Sequence, residues 1–430
     1  PIRNAYIYTD KTYEALGRKQ EKPDTINQVL DFLKTHYDFR RNVILDRLEY
    51  RNFNEKEERW KGRFRPMRTR SYNAIFLDLQ LAGIKCFRNY LQTVIDSSYP
   101  RDFNPFTEYI GKLKPWDGVT DYIGRLADTE DQEFWRKSFR RWFVGMLACA
   151  LQDDTVNHLV IILYSEQGKG KSTWIRRLLP PEWREYYRNG MANPENKDHQ
   201  LLLSTHLIIN MEEFEGARVG DLAGLKRVIT QESVTERKAY DAQAYTFIRH
   251  ASFIASTNSR QCLQDIGGNR RFLPSSIISL DYRTPVNYEG VYAQAHALLK
   301  QGYQYWYEGE EIDELNRHNE LHRMKDPVEE NLLVYFRKPE PGETCVKWMP
   351  AATILSKIAI YGKIQVNRQT IQILVMSLEK YGFRTRRNSQ GSTEYEVIDL
   401  QNDEVNNGFR EKNRDEKDGK DDMEEGILPF

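Results

Sequence analysis

The amino-acid sequence predicts a mixed α/β fold with a parallel sheet at its centre. Three short apolar runs, 159–164, 207–211 and 252–256, are separated by helical and turn sequence, which is typical of buried parallel strands. A glycine-rich loop follows the first run directly, and a helical run follows the loop. This order of strand, loop and helix is the unit from which parallel sheets are built.

The composition is that of a folded chain. Its 430 residues allow two to four domains of about 150 residues each. Hydrophobic residues make up 40% of the sequence, which is too many for a chain disordered throughout. The four cysteines include no C-x-x-C pair, so neither a zinc ribbon nor a disulfide framework is predicted, and we expect a cytoplasmic protein. No apolar run approaches the ~20 residues that span a bilayer, so no membrane partner is expected.

Residues 1–100 are predicted to form a small α+β domain. Apolar residues recur at i, i+3, i+4 and i+7 within 24–34, which predicts a helix. The alternation of apolar and polar residues over 42–50 predicts a strand. Two further helices are expected over 74–81 and 87–95.

A basic stretch lies inside this domain. Residues 40–70 carry 11 basic side chains against 5 acidic ones, and 61–70 carry five basic and no acidic side chains. Arginines alternate here with Trp60 and Phe64, a pattern typical of nucleic-acid surfaces. A polyanion is therefore first expected here, and a merely solvated loop is the alternative.

The regions on either side of the central sheet are predicted to be separate domains. Residues 101–155 are expected to be a helical lead-in. Residues 331–400 are predicted to form a winged-helix-like domain, because two helical patterns precede two β-like arms at 383–387 and 393–398.

The C-terminal tail and the first residue of the chain each lead to one further expectation. Residues 401–430 carry 10 acidic and 5 basic side chains with few large apolar ones, and we expect this tail to be disordered. Because the chain opens with Pro1 rather than Met, we expect a trimmed chain or the C-terminal part of a longer one.

The glycine-rich loop predicts phosphate binding. The segment from Ser165 to Thr173 reads S-E-Q-G-K-G-K-S-T and matches the phosphate loop G-x-x-x-x-G-K-[ST], except that Ser165 replaces the first glycine. Glycines let backbone N–H groups face the phosphates, Lys171 can reach the β- and γ-phosphates, and Ser172 can ligate Mg²⁺. An ordinary glycine-rich turn is the alternative. The predicted nucleotide-binding residues are Gly168, Lys169, Gly170, Lys171, Ser172 and Thr173.

Three further polar positions follow the other predicted strands. Glu212 and Glu213 end the second strand, and we predict that Glu212 serves the metal and Glu213 polarises the attacking water. Asn258 ends the third strand, where a polar amide would sit beside the γ-phosphate. Arg270 and Arg271 follow on a loop and are predicted to stabilise a transferring phosphoryl group, in their own chain or in a neighbour.

Several ordered motifs together resemble the virulence-associated protein E family. These are the phosphate loop, the segment 108–118 with its Trp-Asp-Gly ending, Leu-Lys-Arg-Val-Ile-Thr at 225–230, Ala-Ser-Thr-Asn at 255–258 and Gly-Asn-Arg-Arg-Phe at 268–272. That family is similar to the superfamily 3 helicases of the AAA+ class encoded by phages and mobile elements. The resemblance implies an AAA+ P-loop ATPase core over 156–330.

The resemblance also implies an activity. It is ATP-driven DNA unwinding in replication by a hexameric ring, with an arginine finger acting on the neighbouring subunit. The implied cofactors are ATP and Mg²⁺, and the implied partner is single-stranded or forked DNA. Members often carry an N-terminal primase, but residues 1–100 contain no convincing set of primase carboxylates.

A second DNA contact is predicted between the acid pair and Asn258. In ring helicases of this kind, a hairpin here carries basic and aromatic residues into the central channel. Arg237 and Lys238 would contact phosphates and Tyr240 could stack on a base. A solvated hairpin with one packed tyrosine is an equal alternative.

Other functions stay open at the level of sequence. A DNA-stimulated ATPase without unwinding, such as a loader or remodeller, would use the same motifs. A P-loop kinase for a small molecule and a nucleotide-gated DNA-binding protein are further alternatives. His318 and His322 have a metal-chelating spacing, but Asn319 stands where a zinc protease needs glutamate, so surface histidines are expected.

Overall fold

The computed structural model describes residues 25–54, 59–190, 197–212, 214, 219–236, 244–263, 269–343 and 345–401. These residues form four hydrophobic clusters: one in the N-terminal part, two around a central sheet and one in the C-terminal part. No helix in the described ranges is long and apolar enough to cross a membrane.

The N-terminal part is a four-stranded sheet with three helices on one face. The strands follow the order β3-β2-β1-β4, with β1 and β4 parallel and the other pairs antiparallel. The helices bury Val29, Leu33, Ile75, Leu79 and Leu91 against the sheet. The elements are α1 (Thr25–His36), β1 (Tyr37–Asn42), β2 (Arg47–Asn54), β3 (Arg59–Pro66), α2 (Thr69–Leu81), α3 (Arg88–Asp96) and β4 (Arg101–Phe103).

One prediction about this part is wrong. Residues 42–50 are not one strand, because the chain turns between β1 and β2. The Asn42 side chain accepts hydrogen bonds from the backbone N–H groups of Ile44 and Leu45, and Asp46 adopts a left-handed conformation. The alternative of a solvated loop does not apply to most of the basic stretch, since β3 and the start of α2 contain it. The predicted helices are present.

The central sheet has six strands in the order β5-β12-β6-β11-β8-β7. All neighbours pair in parallel except β5, which runs antiparallel at one edge. The three predicted strands correspond to β6, β8 and β11, which confirms the mixed α/β class with a parallel sheet. The strands are β5 (Asp128–Thr129), β6 (Val160–Tyr164), β7 (Tyr187–Asn189), β8 (Ile208–Met211), β11 (Ser252–Thr257) and β12 (Phe272–Ser279).

Helices and turns connect these strands, and a long buried helix supports them. This helix, α5, packs aromatic side chains under the sheet, and the indole N–H of Trp142 donates to the carbonyl of Phe253 over 2.8 Å. A two-stranded hairpin, β9 with β10, lies between α8 and β11 in the chain and packs against α7. These elements are α4 (Pro105–Ile110), α5 (Gln132–Leu151), α6 (Lys171–Arg176), a 3₁₀ helix (Pro181–Tyr186), α7 (Lys197–Thr205), α8 (Val219–Thr230), β9 (Ser233–Glu236), β10 (Tyr245–Ile248), α9 (Tyr288–Lys300) and α10 (Glu310–Glu320).

The C-terminal part combines three helices with a small antiparallel sheet. Strand β16 pairs with β13, β14 and β15, and the helices bury Leu332, Ile354, Leu355 and Leu374 against it. The expected pattern of two helices followed by two strands is present. The elements are α11 (Pro327–Tyr335), β13 (Phe336–Arg337), β14 (Lys347–Pro350), α12 (Ala351–Gly362), α13 (Arg368–Lys380), β15 (Thr385–Arg387) and β16 (Thr393–Asp399).

Polar contacts join the three parts. The Asn42 amide donates to the Tyr186 hydroxyl over 2.8 Å, which ties the N-terminal sheet to the central part. Between the central and C-terminal parts, Arg323 forms ion pairs with Glu320 and with the fully buried Glu329. Glu329 also accepts hydrogen bonds from Tyr381 (2.6 Å) and Lys380, and this set of donors lowers its pKa to about 2.

Candidate functional site at the carboxyl edge of the parallel sheet

The glycine-rich loop joins β6 to α6 at the carboxyl edge of the sheet. Gly168 and Gly170 have φ angles of +84° and +78°, which only glycine adopts without strain. A Cβ at Gly170 would come within 2.5 Å of the Tyr282 ring, whereas a Cβ at Gly168 would meet nothing within 4 Å. The sequence therefore builds a loop whose backbone can approach a ligand closely at Gly168.

Lys171 is the first residue of α6, and its ammonium group turns back over the loop. It donates to the carbonyl of Ser165 over 2.7 Å and to the side-chain oxygen of Asn258 over 2.9 Å. Asn258 follows β11, the strand beside β6. The structure thus brings together two of the predicted residues, from the loop and from the neighbouring strand.

Ser172 meets the predicted acid. Its hydroxyl donates to Glu212 Oε1 over 2.6 Å, and Glu212 follows β8, one strand beyond β11. A hydroxyl and a carboxylate are hard oxygen ligands of the kind that Mg²⁺ prefers. The pair therefore fits the predicted metal site. Glu213 lies outside the described residues, and the exposed side chains of Lys169 and Thr173 lie on the loop and the first turn of α6.

Sequence reasoning missed the segment that packs against the loop. The guanidinium of Arg177 donates to the carbonyls of Tyr282, Arg283 and Thr284, the last over 2.8 Å. This contact holds the Tyr282 ring against Gly170. The sequence contains a local signal for the turn itself, because the Asp281 side chain caps it by accepting hydrogen bonds from the N–H groups of Arg283 and Thr284. Its position beside the loop depends on tertiary packing.

Arg270 and Arg271 lie at the opposite edge of the sheet. The carbonyl of Arg271 accepts from the N–H of Val160, the first residue of β6, and both arginines precede β12. Strand β6 has five residues, so about 13 Å separates its first residue from its last. The structure therefore does not bring the arginines together with Lys171 within one chain.

The arginines line a cavity of about 530 Å³ at this amino edge. Its walls combine charged residues with the aromatic segment before α10, and the lining includes His158, Arg270, Arg271, Tyr305, Trp306 and Tyr307. Burial, followed by the charge of Arg270, lowers the pKa of Arg271. Burial also lowers the pKa of His158, and nearby arginines lower it further. This concentration of positive charge suits an anion.

The hairpin that carries the predicted DNA contacts is described only at its base. Strands β9 and β10 pair with Tyr245 opposite Glu236, and Arg237, Lys238 and Tyr240 lie outside the described residues. Arg249 anchors the base. Its fully buried guanidinium donates to the carbonyls of Val228, Ile229 and Gln231 at the end of α8, and burial lowers its pKa to about 10.

The two histidines with chelating spacing were expected at the surface, and this expectation is wrong, because His318 is partly buried and His322 is buried. His318 stacks on Phe134 and hydrogen-bonds the carbonyl of Pro274, while His322 hydrogen-bonds the carbonyl of Arg260. Within the described ranges, no group of three or more His, Cys, Asp or Glu side chains could hold a metal ion.

The protein is thus a mixed α/β protein whose candidate site lies at the carboxyl edge of a parallel sheet. The glycine-rich loop there carries Lys171, which contacts Asn258, and Ser172, which contacts Glu212. A family model described as the virulence-associated protein E-like domain matches residues 110–324, half of the chain. The chain therefore belongs to the virulence-associated protein E-like family.

Two solved structures match the chain at low sequence identity. The apo structure of the NrS-1 C-terminal region has a TM-score of 0.46 at 11% identity, with 88% of this chain and 100% of that chain covered. A structure described as SCCmec type IV Cch, an active helicase, has a TM-score of 0.32 at 9% identity, with 85% and 92% covered. The chain has no match among curated proteins.

Proposed function

We propose that the chain is an ATP-dependent DNA helicase of a phage or mobile genetic element, with an AAA+ P-loop core over 156–330. One observation carries the proposal: Lys171 meets Asn258 and Ser172 meets Glu212 at the ends of three adjacent strands. In open parallel sheets, ligands bind outside the carboxyl ends of the strands, which is where these groups lie. Membership of the virulence-associated protein E-like family supports the same activity.

The loop residues divide the binding of ATP and Mg²⁺ among them. The backbone N–H groups of Gly168, Lys169 and Gly170 contact the phosphates, together with the N-terminal turn of α6, which includes Thr173. Lys171 exchanges its contacts with loop carbonyls for the β- and γ-phosphates. Ser172 and Glu212 would hold a metal ion, which would supply charge stabilisation at the phosphates. Asn258 orients the γ-phosphate and Glu213 polarises the attacking water.

Arg270 and Arg271 act on the nucleotide of a second copy of the chain. Their separation from Lys171 across the length of β6 supports this assignment, because one chain cannot supply both. A ring of subunits, hexameric as in the related helicases, would set each arginine pair beside the next copy's loop. A guanidinium there offsets the charge that develops during phosphoryl transfer.

The hairpin is the proposed contact with single-stranded or forked DNA. Tyr245 and Ile248 on β10 are open to solvent, which supports an accessible surface beside the predicted contacts. Arg237, Lys238 and Tyr240 would contact the DNA backbone and one base. For the flanking regions, we propose a small α+β domain over 1–100, which β4 (Arg101–Phe103) completes, and a mainly helical lead-in over 101–155, whose short strand β5 joins the central sheet. We further propose a winged-helix-like domain over 331–400 and a charged tail over 401–430.

The test combines ATP hydrolysis, strand separation and mass. We expect ATPase activity that rises with single-stranded DNA, unwinding of a forked substrate, and a particle of about six subunits. Hydrolysis stimulated by DNA without unwinding would indicate a loader or remodeller. Phosphoryl transfer to a metabolite would indicate a kinase, and DNA binding without turnover would contradict an enzymatic role.

A further inference from the structure

The N-terminal sheet has two unlike faces. Helices α1, α2 and α3 cover one face, where Tyr37, Phe39 and Tyr50 join their hydrophobic core. The other face carries Arg40, Arg51, Trp60, Phe64 and Phe103, and in the described chain these side chains belong to none of the hydrophobic clusters. We call these five residues the ladder.

Rings and guanidinium groups alternate along the ladder. The Arg40 guanidinium carbon lies 3.4 Å from the centroid of the Phe103 ring and 3.9 Å from that of Phe64. The Arg51 guanidinium carbon lies 4.5 Å from the centroid of Phe64 and 5.7 Å from that of Trp60. The order Phe103, Arg40, Phe64, Arg51, Trp60 therefore forms one continuous stack across the sheet.

Carboxylates fix the two arginines in this stack. Arg40 pairs with Glu49 and Arg51 pairs with Asp38, each over 2.7 Å. Because the carboxylates hold the guanidinium groups, the planar groups keep their orientation without a ligand. Flat rings and guanidinium planes are the surfaces on which unpaired bases stack.

Positive charge borders the ladder at the edge of the sheet. Strand β3 is an edge strand, and Arg63 on it and Arg68 just after it are exposed. Arg65 is also exposed, but its guanidinium lies over the Tyr50 ring on the helix-covered face. The sequence from 61 to 70 contains no acidic residue. A backbone of phosphates running along β3 would thus meet cations while its bases reach Trp60.

We propose that the ladder and the neighbouring Arg63 bind single-stranded DNA, with a base stacked on Trp60 and a phosphate on Arg63. The choice of DNA rests on the proposed function, but this contact needs no ATP. A single strand is the occupant because its bases can turn onto a flat protein surface, whereas duplex bases stack on one another. The face would guide a strand at a second place, apart from the hairpin.

The test measures binding of a labelled oligothymidylate of about 16 nucleotides to the full chain across a salt series. The double variant Trp60→Ala/Arg63→Ala should raise Kd about fivefold or more and reduce the salt slope by about 0.7. The matched control is Phe87→Ala/Arg88→Ala, which removes an exposed aromatic and an exposed arginine at the start of α3. This control should bind like the parent.

A conservative variant separates contact from folding. Trp60→Phe keeps a ring for stacking and should bind within about threefold of the parent. Ultraviolet crosslinking of the bound oligonucleotide should label the peptide that contains Trp60. Equal losses in both double variants, no loss in the ladder variant, or stronger binding of duplex or RNA would overturn the proposal.

The outcomes also separate this proposal from the helicase. If the parent hydrolyses no ATP but the ladder variant loses DNA binding, the proposed function fails and the ladder stands. If DNA stimulates the ATPase and the ladder variant binds like the parent, the ladder fails and the proposed function stands.

Discussion

The two edges of the central sheet differ in how their charged groups are used. At the carboxyl edge, Lys171, Ser172, Glu212 and Asn258 contact one another within one chain. At the amino edge, Arg270 and Arg271 face a cavity of about 530 Å³ on the far side of β6. The parallel sheet therefore keeps the groups proposed to bind a nucleotide apart from the cations proposed to act on it. Under the proposed function, a complete site requires two copies of the chain.

The largest effect is expected at the amino edge. Removing the proposed arginine finger, by Arg270→Ala or Arg271→Ala, should lower kcat for ATP hydrolysis about 10³-fold. The reason is that a guanidinium group no longer stabilises the transition state. ATP affinity should stay unchanged, since neither arginine contacts the loop of its own chain. Nucleotide binding and single-turnover hydrolysis measure both quantities. A loss of ATP affinity equal to the loss of kcat would remove the distinction between the edges.

The carboxyl edge should respond differently. Lys171→Ala should weaken ATP binding and lower kcat by about 10²-fold or more, because the ammonium contacts the phosphates in both ground and transition states. Glu212→Gln should make hydrolysis require more Mg²⁺ while the nucleotide still binds. Titrations with ATP and with Mg²⁺ distinguish the two variants. Parental turnover in Glu212→Gln at low Mg²⁺ would exclude Glu212 from the metal.

A structural arginine at the amino edge provides a contrast to the finger. Arg249 is buried and bonded to the carbonyls that end α8. Arg249→Met should cost about 3 kcal/mol of stability, since several buried carbonyls lose their donor. Arg271→Ala should leave the unfolding free energy within about 0.5 kcal/mol. Denaturant unfolding of both variants checks this, and the reverse order would contradict the assignments.

The two glycines of the loop offer a smaller test. Both have positive φ, so alanine costs about 1–2 kcal/mol at either position. Gly170→Ala should cost more than Gly168→Ala, because its new Cβ also meets the Tyr282 ring. Gly170→Ala with Tyr282→Ala should remove the difference. Thermal unfolding of the three variants measures it, and equal costs in both single variants would contradict the packing of Tyr282 on the loop.

The smallest effect is a pH dependence of stability. Burial is the largest cause of a lowered pKa in six histidines: His158, His206, His250, His296, His318 and His322. The unfolded chain takes up protons near pH 6.5 that the folded chain does not, so stability should fall as the pH drops from 7 to 5. His158→Gln should reduce this slope by at most about 1.4 kcal/mol per pH unit. An unchanged slope would mean that the amino-edge cavity does not perturb His158.

Sequence predicted the parts that depend on local patterns. Apolar runs revealed β6, β8 and β11, and the loop motif predicted Lys171 and Ser172 because their spacing is local. The turn at 43–46 was not predicted, because Asn42, whose side chain caps the turn, also fits the pattern of an alternating strand. The contact between Tyr282 and Gly170 and the stack of side chains in the ladder could not be predicted from sequence. Each depends on residues that tertiary packing or sheet register brings together. The position of Arg270 and Arg271 at the edge of the sheet opposite Lys171 could be recognised only once the strand order was known.

Mixing two inactive variants tests the central claim most directly. Lys171→Ala lacks a working loop and keeps its arginines, whereas Arg270→Ala or Arg271→Ala lacks a finger and keeps its loop. If the arginines act on a second copy, some interfaces in mixed assemblies pair an intact loop with an intact finger, and part of the ATPase activity should return. Co-purification of differently tagged subunits shows that mixed assemblies form. Mixed assemblies that recover no activity with either arginine variant would contradict the account.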